Sequence, residues 1–221
     1  MSPATAVYLE VGRTRTFACA VEWPGWCRAA RGEEVALRAL GDYAPRYARV
    51  VDRAGMTLPA DIATALSVVE TVTGTATTDF GAPDAVAEVD RRPLDAESAG
   101  RIVALLDAAW EELAVVVAGA PATLRKGPRG GGRDRDAVVE HVIEAERSYA
   151  RKLDVRLTAA EWRDGHVPLL RSRLREALAL PSAGVPVVER GWPPRYLARR
   201  IAWHVLDHAW EIEDRSPVAP R

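Results

Sequence analysis

The spacing of hydrophobic positions changes between the two halves of the chain. Over about the first seventy residues, short runs rich in β-branched and aromatic residues alternate with turn signals, which predicts the order strand, strand, helix, strand. The strands are expected at AVYLEV, TRTFACAVEW and ALSVVETVTG, with a turn at Pro24-Gly25 after the second strand. The helix is expected at GEEVALRALGDYAPRYARVVDRAG, and Pro45 should kink or split it.

The second half of the chain has helical spacing almost throughout. Four helices are predicted, at DAESAGRIVALLDAAWEELAVVVAG, DRDAVVEHVIEAERSYARKLDV, VPLLRSRLREALAL and WPPRYLARRIAWHVLDHAWEIEDR. Asp95 is placed to cap the first, residues 158–161 have the form of a capping box, and Pro193 and Pro194 suit the first turn of the last. Four such helices are typical of a bundle, and the glycine-rich segment 124–135 should be a loop between two of them.

The two patterns together predict an α+β chain with two domains. A small α/β domain is expected over residues 1–75, a linker over 76–92, and an all-α four-helix bundle over 93–216.

Composition excludes some functions. Because the formal net charge is -1, we expect neither a nucleic-acid partner nor an anionic membrane surface as partner. No apolar run approaches the roughly 20 residues of a membrane span, and the first residues lack the pattern of a signal peptide. Two cysteines are too few for a disulfide scaffold, so a cytoplasmic protein with reduced thiols is expected.

The candidate chemistry lies in the segment IAWHVLDHAWEIEDR, which contains His204 and His208. On a helical wheel both histidines fall at the centre of an apolar face, where an imidazole is costly unless something binds it. At a spacing of four residues the two rings can point at one shared atom. His141, on the inward face of the second bundle helix, is the natural third ligand.

Three inward histidines predict a metal site with an open position, as in catalytic zinc centres. Zinc is the first expectation, with nickel or manganese as alternatives, since imidazole alone does not select among them. Glu211 lies one turn past His208, where it could orient that imidazole or act as a general base. The competing interpretation is that His141, His204 and His208 are hydrogen-bonded core residues and that Glu211 is a solvated carboxylate.

One histidine in the second bundle helix and a His-x-x-x-His pair in the last resemble the DinB-like superfamily over about residues 92–215. Bacillithiol and mycothiol S-transferases and mycothiol-dependent maleylpyruvate isomerase are related to that superfamily. The resemblance implies that His141, His204 and His208 bind a metal that activates a thiol or water. It therefore implies a thiol-dependent transferase or hydrolase, with a small-molecule substrate and a low-molecular-weight thiol as partners. An arginine-rich composition suggests an actinobacterial source, where that thiol would be mycothiol.

The N-terminal segment FACAVEWPGWCRAARGEEVALRALGDYAPRYARVV resembles HicB-type domains, which have a partial RNase H-like fold. This resemblance implies a dimerisation, sensing or lid role for about residues 6–73, since no DNA-binding motif accompanies it. The alternative function is accordingly a non-enzymatic binding or regulatory protein, with a structural metal or none.

A second apolar stripe runs along the last helix, nearly opposite the histidines, and consists of Trp203, Leu206 and Trp210. Because large aromatic patches usually mark contacts, this stripe should meet the N-terminal domain, a substrate or a second subunit, the last giving a homodimer.

Overall fold

The computed structural model describes residues 4–127, 132–163 and 166–217, and over these residues the fold is α+β, as predicted. The N-terminal part forms one four-stranded sheet, with strands β1 (Thr5–Val11), β2 (Thr16–Ala20), β3 (Cys27–Ala30) and β4 (Leu66–Thr73). The strand order is β3-β2-β1-β4, with β1 antiparallel to β2 and parallel to β4.

Strand β3 was not predicted, because its four residues follow the Pro24-Gly25 turn and are too few to show a period of two. It forms because the turn reverses the chain, so that Cys27 lies directly opposite Cys19 of β2. Helices α1 (Glu33–Asp42) and α2 (Ala44–Arg53) then connect β3 to β4. They replace the one predicted helix and are divided just before Pro45, which lies in the first turn of α2, as its missing N–H requires.

The four predicted helices of the second half are confirmed. They are α4 (Ala96–Gly119), α5 (Arg135–Ala150), α7 (Val167–Leu178) and α8 (Pro194–Arg215). Asp95 caps α4 by accepting a hydrogen bond from the Ser98 amide, and the capping box at Thr158 begins a short helix, α6 (Ala159–Arg163). Of the glycine-rich loop predicted between α4 and α5, residues 128–131 lie outside the described residues.

The segment 76–92 contains a short helix, α3 (Ala76–Phe80), and a turn of 3-10 helix at Glu88–Arg91. It packs tightly because the buried Glu10 carboxylate needs backbone amides of the segment, and because Asp90 of the segment is itself buried and needs a cationic partner. The Glu10 carboxylate accepts hydrogen bonds of 2.8 and 3.1 Å from the amide of Asp84, and Asp90 forms a buried ion pair with Arg199 of α8. The segment therefore packs against both the sheet and α8, and its assignment as a linker between two domains stays a prediction.

Helix α8 lies at the centre of the molecule, and most of its residues are buried. One hydrophobic cluster contains residues of the N-terminal part, such as Trp26 and Tyr47, together with Leu206 and Trp210 of α8. At the Pro24-Gly25 turn the backbone passes so close to α8 that a Cβ on Gly25 would lie 2.7 Å from Leu206 Cδ1. The sheet and the bundle thus share one core.

The tryptophan stripe of α8 faces the N-terminal part of the same chain. Trp203 packs edge-on against Phe17 of β2 at 6.0 Å between ring centroids, and Trp210 packs against Tyr43 at 5.1 Å. The N-terminal contact, one of three partners considered for the stripe, is thus confirmed. The homodimer stays a prediction, although Trp203, Leu206 and Trp210, the residues that suggested it, are buried within one chain.

Within the described part of the chain, no helix has both the length and the apolar character needed to cross a membrane.

Candidate metal centre

The three predicted ligand histidines come together on two neighbouring helices. His204 and His208 lie one turn apart on α8, and His141 lies on α5, which packs along it. Their ring centroids are 4.6 Å apart for the α8 pair and 5.0 Å from His141 to each of them. The helical wheels therefore predicted the inward direction of all three rings correctly, because α5 and α8 pack with their histidine faces toward each other.

One ring nitrogen from each histidine lies within 4.8 Å of the other two. Nitrogens bound to one zinc ion stand roughly 3.3 Å apart, given bonds of about 2.0–2.1 Å and tetrahedral angles. Among the residues that the structure describes, no carboxylate or thiol completes this group as a fourth ligand. His141 and His208 are half-buried whereas His204 is 6% exposed, so the cluster reaches toward the surface from one side.

Burial and neighbouring charges keep His204 and His141 in the neutral form that binds metals. Burial, followed by the nearby charges of His208 and His141, lowers the pKa of His204 to about 2. Burial and His208 also lower the pKa of His141. Imidazole must be neutral to donate its lone pair, so these two rings are ready ligands at neutral pH. The Nδ1 atom of His204 is buried and has no hydrogen-bond partner among the described residues, which is costly in a core histidine.

Glu211 supports His208 from behind. Its Oε2 atom lies 2.7 Å from Nδ1 of His208, and its Oε1 atom accepts a hydrogen bond of 2.6 Å from Arg215. The hydrogen bond with His208 lowers the pKa of Glu211, and Arg215 adds to that effect despite an opposing contribution from burial. A carboxylate on Nδ1 leaves Nε2 of His208 to face the cluster, which is the arrangement common around metal-bound imidazoles. These contacts fit the orienting role, and the general-base role stays a prediction.

Two residues beside the histidines were not anticipated from the sequence. The Tyr149 ring lies 5.8 Å from that of His204, and the Arg200 guanidinium lies over the rings of Tyr149 and Trp203. Both were detectable from spacing alone, since Arg200 precedes His204 by four residues and Tyr149 follows His141 by eight. The Trp203 ring lies 5.9 Å from that of His204 and also packs against the sheet, so it borders the histidine cluster.

Four other residues that could take part in chemistry, His166, Glu144, Cys19 and Cys27, lie away from the cluster. His166 stacks on Trp162 and takes no part in the cluster. Glu144 is exposed and stands 3.7 Å from Arg147. Cys19 and Cys27 are buried opposite each other in the sheet, with 2.7 Å between their Sγ atoms, and are free cysteines.

A wide surface cleft, of about 410 Å³, lies between α2 and α4 and is lined by Arg49, Arg53 and Glu112. Its buried carboxylate, Glu112, is already paired with both arginines at 2.8 and 2.9 Å. The cleft therefore offers a satisfied ion-pair network that joins the two halves, and the histidine cluster is the better candidate for chemistry.

Comparison with known proteins gave no match to the chain among family models, curated proteins or solved structures.

Proposed function

We propose that this protein holds a divalent transition metal at His141, His204 and His208 and uses it in thiol-dependent transfer or hydrolysis of a small molecule. The observation that carries the proposal is that one ring nitrogen from each of the three histidines lies within 4.8 Å of the other two, without a fourth protein ligand among the described residues. Catalytic zinc sites commonly have three protein ligands and an open position, whereas structural sites are closed by four. Zinc is the metal we expect first, with nickel or manganese as alternatives.

A bound metal would lower the pKa of a thiol or water at the open position and so supply a nucleophile at neutral pH. The residues of the chain would prepare the site for that chemistry. Glu211 would hold the His208 ring in the orientation that presents Nε2. Tyr149 and Trp203 would exclude water on the side of His204, which strengthens electrostatic interactions within the site.

The resemblance to the DinB-like superfamily supports the thiol part of the proposal. It depends on one histidine from the second bundle helix, here α5, and two at a spacing of four residues from the last helix, here α8. For the N-terminal part we propose a HicB-like identity, supported by the order of β1, β2 and β4. Its role would be to hold α8 in place through Trp203. The proposal places this activity in the cytoplasm, with mycothiol as the candidate thiol.

The first test is metal content. Protein free of tags, purified without chelators, is analysed by mass spectrometry beside a His204→Ala, His208→Ala double variant. The matched control is His166→Ala, which removes a histidine outside the cluster. We expect about one transition metal per chain in the wild type and the control, and none in the double variant. A wild type that stays empty after incubation with zinc, nickel and manganese would overturn the proposal and favour core histidines in a regulatory protein.

A second measurement separates a catalytic metal from a structural one. Cobalt(II) is substituted into the protein, and its visible absorption spectrum is followed while a small thiol is added. An open position predicts a new sulfur-to-cobalt absorption band, because the thiolate becomes a ligand. A spectrum that does not respond to thiol or to other small ligands would indicate a closed, structural site.

A further inference from the structure

Helix α8 contains three buried arginines, Arg195, Arg199 and Arg200, and they differ in their partners. Arg199 forms an ion pair with Asp90, with 3.1 Å between Nε and Oδ1, and Arg195 stands 3.6 Å from Glu22. Arg200 is 6% exposed, and no carboxylate of the described residues pairs with it. Its Nε and Nη1 atoms are buried without a hydrogen-bond partner in the same part of the chain.

A guanidinium stays charged in any protein environment, so Arg200 cannot avoid the cost of burial by losing a proton. The rings of Trp203 and Tyr149, at 4.7 and 5.4 Å from its central carbon, offset part of this cost through cation–π attraction. Tyr149 also forms a side-chain hydrogen bond with Arg200, but it supplies no negative charge, and an uncompensated buried charge is strongly destabilising. No residue in the described part of the chain pairs with Nε or Nη1 of Arg200, and an anion bound from outside the chain would supply both hydrogen-bond acceptors and a counter-charge.

The position of Arg200 connects this anion to the histidine cluster. Arg200, His204 and His208 follow one another at four-residue intervals and so form one stripe on α8. Four residues of helix correspond to a rise of about 6 Å. Arg200 and His204 also share Tyr149 and Trp203 as neighbours. A small molecule anchored by its anionic group at Arg200 would therefore need to extend by only about one helical turn to reach the histidine cluster.

We propose that Arg200 binds the carboxylate of the small molecule whose other end, a thiol or the reacting group, lies at the histidine centre. That Arg200 binds an anion follows from its burial and from the lack of a partner for Nε and Nη1 among the described residues. That the other end of the same molecule reacts at the histidines rests on the proposed function. A carboxylate fits better than a phosphate, because one guanidinium between two aromatic rings offers one charge. A phosphate dianion normally gathers several cationic or amide donors.

The test compares a charged and a neutral thiol of similar size, 3-mercaptopropionate and 2-mercaptoethanol, at constant ionic strength. Each is titrated into cobalt-loaded protein, and binding is read from the visible spectrum. We expect the wild type to bind 3-mercaptopropionate roughly tenfold or more tightly than 2-mercaptoethanol, as a charge-assisted hydrogen bond would give. Arg200→Gln should lose this preference while keeping its metal. The control Arg38→Gln, which changes an exposed arginine of α1, should keep both.

A second arm uses metal-free protein and follows its melting temperature with acetate, its neutral analogue acetamide, and inorganic phosphate. Acetate should stabilise the wild type through Arg200 and should have no such effect on Arg200→Gln or Arg200→Met. If metal fails to bind but this acetate effect persists, the proposed function is wrong and the anion site stands. Stronger stabilisation by phosphate than by acetate would overturn the assignment of a carboxylate.

Equal binding of the two thiols by the wild type, or an unchanged preference in Arg200→Gln, would overturn the role of Arg200 whatever the metal does. If neither Arg200 variant folds, the measurements on the wild type test the proposal by themselves. A preference for both charged probes over their neutral analogues then supports the inference, and the lack of any preference refutes it.

Discussion

Acid should destabilise the metal-free protein through His204, and the size of the effect follows from the burial of that ring. The ordinary pKa of a histidine is 6.5, and in the folded chain burial and two neighbouring histidines lower the pKa of His204 to about 2. Above pH 6.5 the ring is neutral in both states and contributes nothing to pH dependence. Below that pH His204 is protonated in the unfolded chain but stays neutral in the folded chain. The free energy of unfolding therefore decreases as the pH falls.

The magnitude is about 1.4 kcal/mol for each pH unit below 6.5, which gives roughly 2 kcal/mol at pH 5. The perturbation is His204→Leu, which replaces the ring by an apolar side chain that cannot take up a proton. We expect the variant to lose about 2 kcal/mol less free energy of unfolding than the wild type between pH 7.5 and pH 5. Groups that titrate equally in both proteins cancel in this difference.

The assay is urea denaturation of chelator-treated protein at pH 7.5, 6 and 5, followed by circular dichroism. The free energy of unfolding is taken from the midpoint and slope of each curve. Parallel loss of stability in the wild type and His204→Leu would refute the reasoning, because it would mean that the folded protein protonates His204 as easily as the unfolded chain does. A difference that grows steadily below pH 6.5 would support a ring held neutral and ready to bind a metal.

Three other outcomes follow from the structure. Asp90→Asn should lower the free energy of unfolding by about 3–5 kcal/mol, measured by urea denaturation, because it leaves Arg199 buried without its counter-charge. The double variant with Arg199→Met should recover most of that stability. An unchanged urea midpoint in Asp90→Asn would contradict this prediction. Glu211→Gln should keep the fold and weaken metal binding about 10–100-fold in competition with a chelator, since it weakens the support of His208; equal affinity would argue against the orienting role. Cys19 and Cys27 should not react with Ellman's reagent until the protein is unfolded, because both are buried and burial raises the pKa of Cys27; prompt reaction of the native protein would contradict that packing.

Much of the candidate site could be predicted because it depends on helical spacing. Once α5 and α8 are recognised as helices, the period of 3.6 residues fixes which side chains share a face. His204 and His208 must then lie together, and His141 must lie on the inward face of its own helix. That α5 and α8 turn these faces toward each other was an expectation from the bundle, and the structure confirmed it.

Interactions between segments that are distant in the sequence could not be predicted from helical spacing. The segment 76–92 has no strong hydrophobic period, and it packs against the fold because Glu10 finds hydrogen-bond donors in it and because its own Asp90 pairs with Arg199 of α8. Nothing near Arg200 in the sequence separates it from Arg199, its neighbour. They differ only because Asp90, more than a hundred residues earlier in the chain, reaches one of them.

The sequence by itself determined the elements and their faces: the break at Pro45, the cap at Asp95, and the histidine stripe of α8. These depend on local backbone chemistry and on periodicity, which act over a few residues. The tertiary structure alone decided which faces meet. It directed Trp203 onto the sheet, and over the described ranges it left Nε and Nη1 of Arg200 without a hydrogen-bond partner. Such pairings depend on how separate elements share one core, and the period of a single element carries no information about its partners.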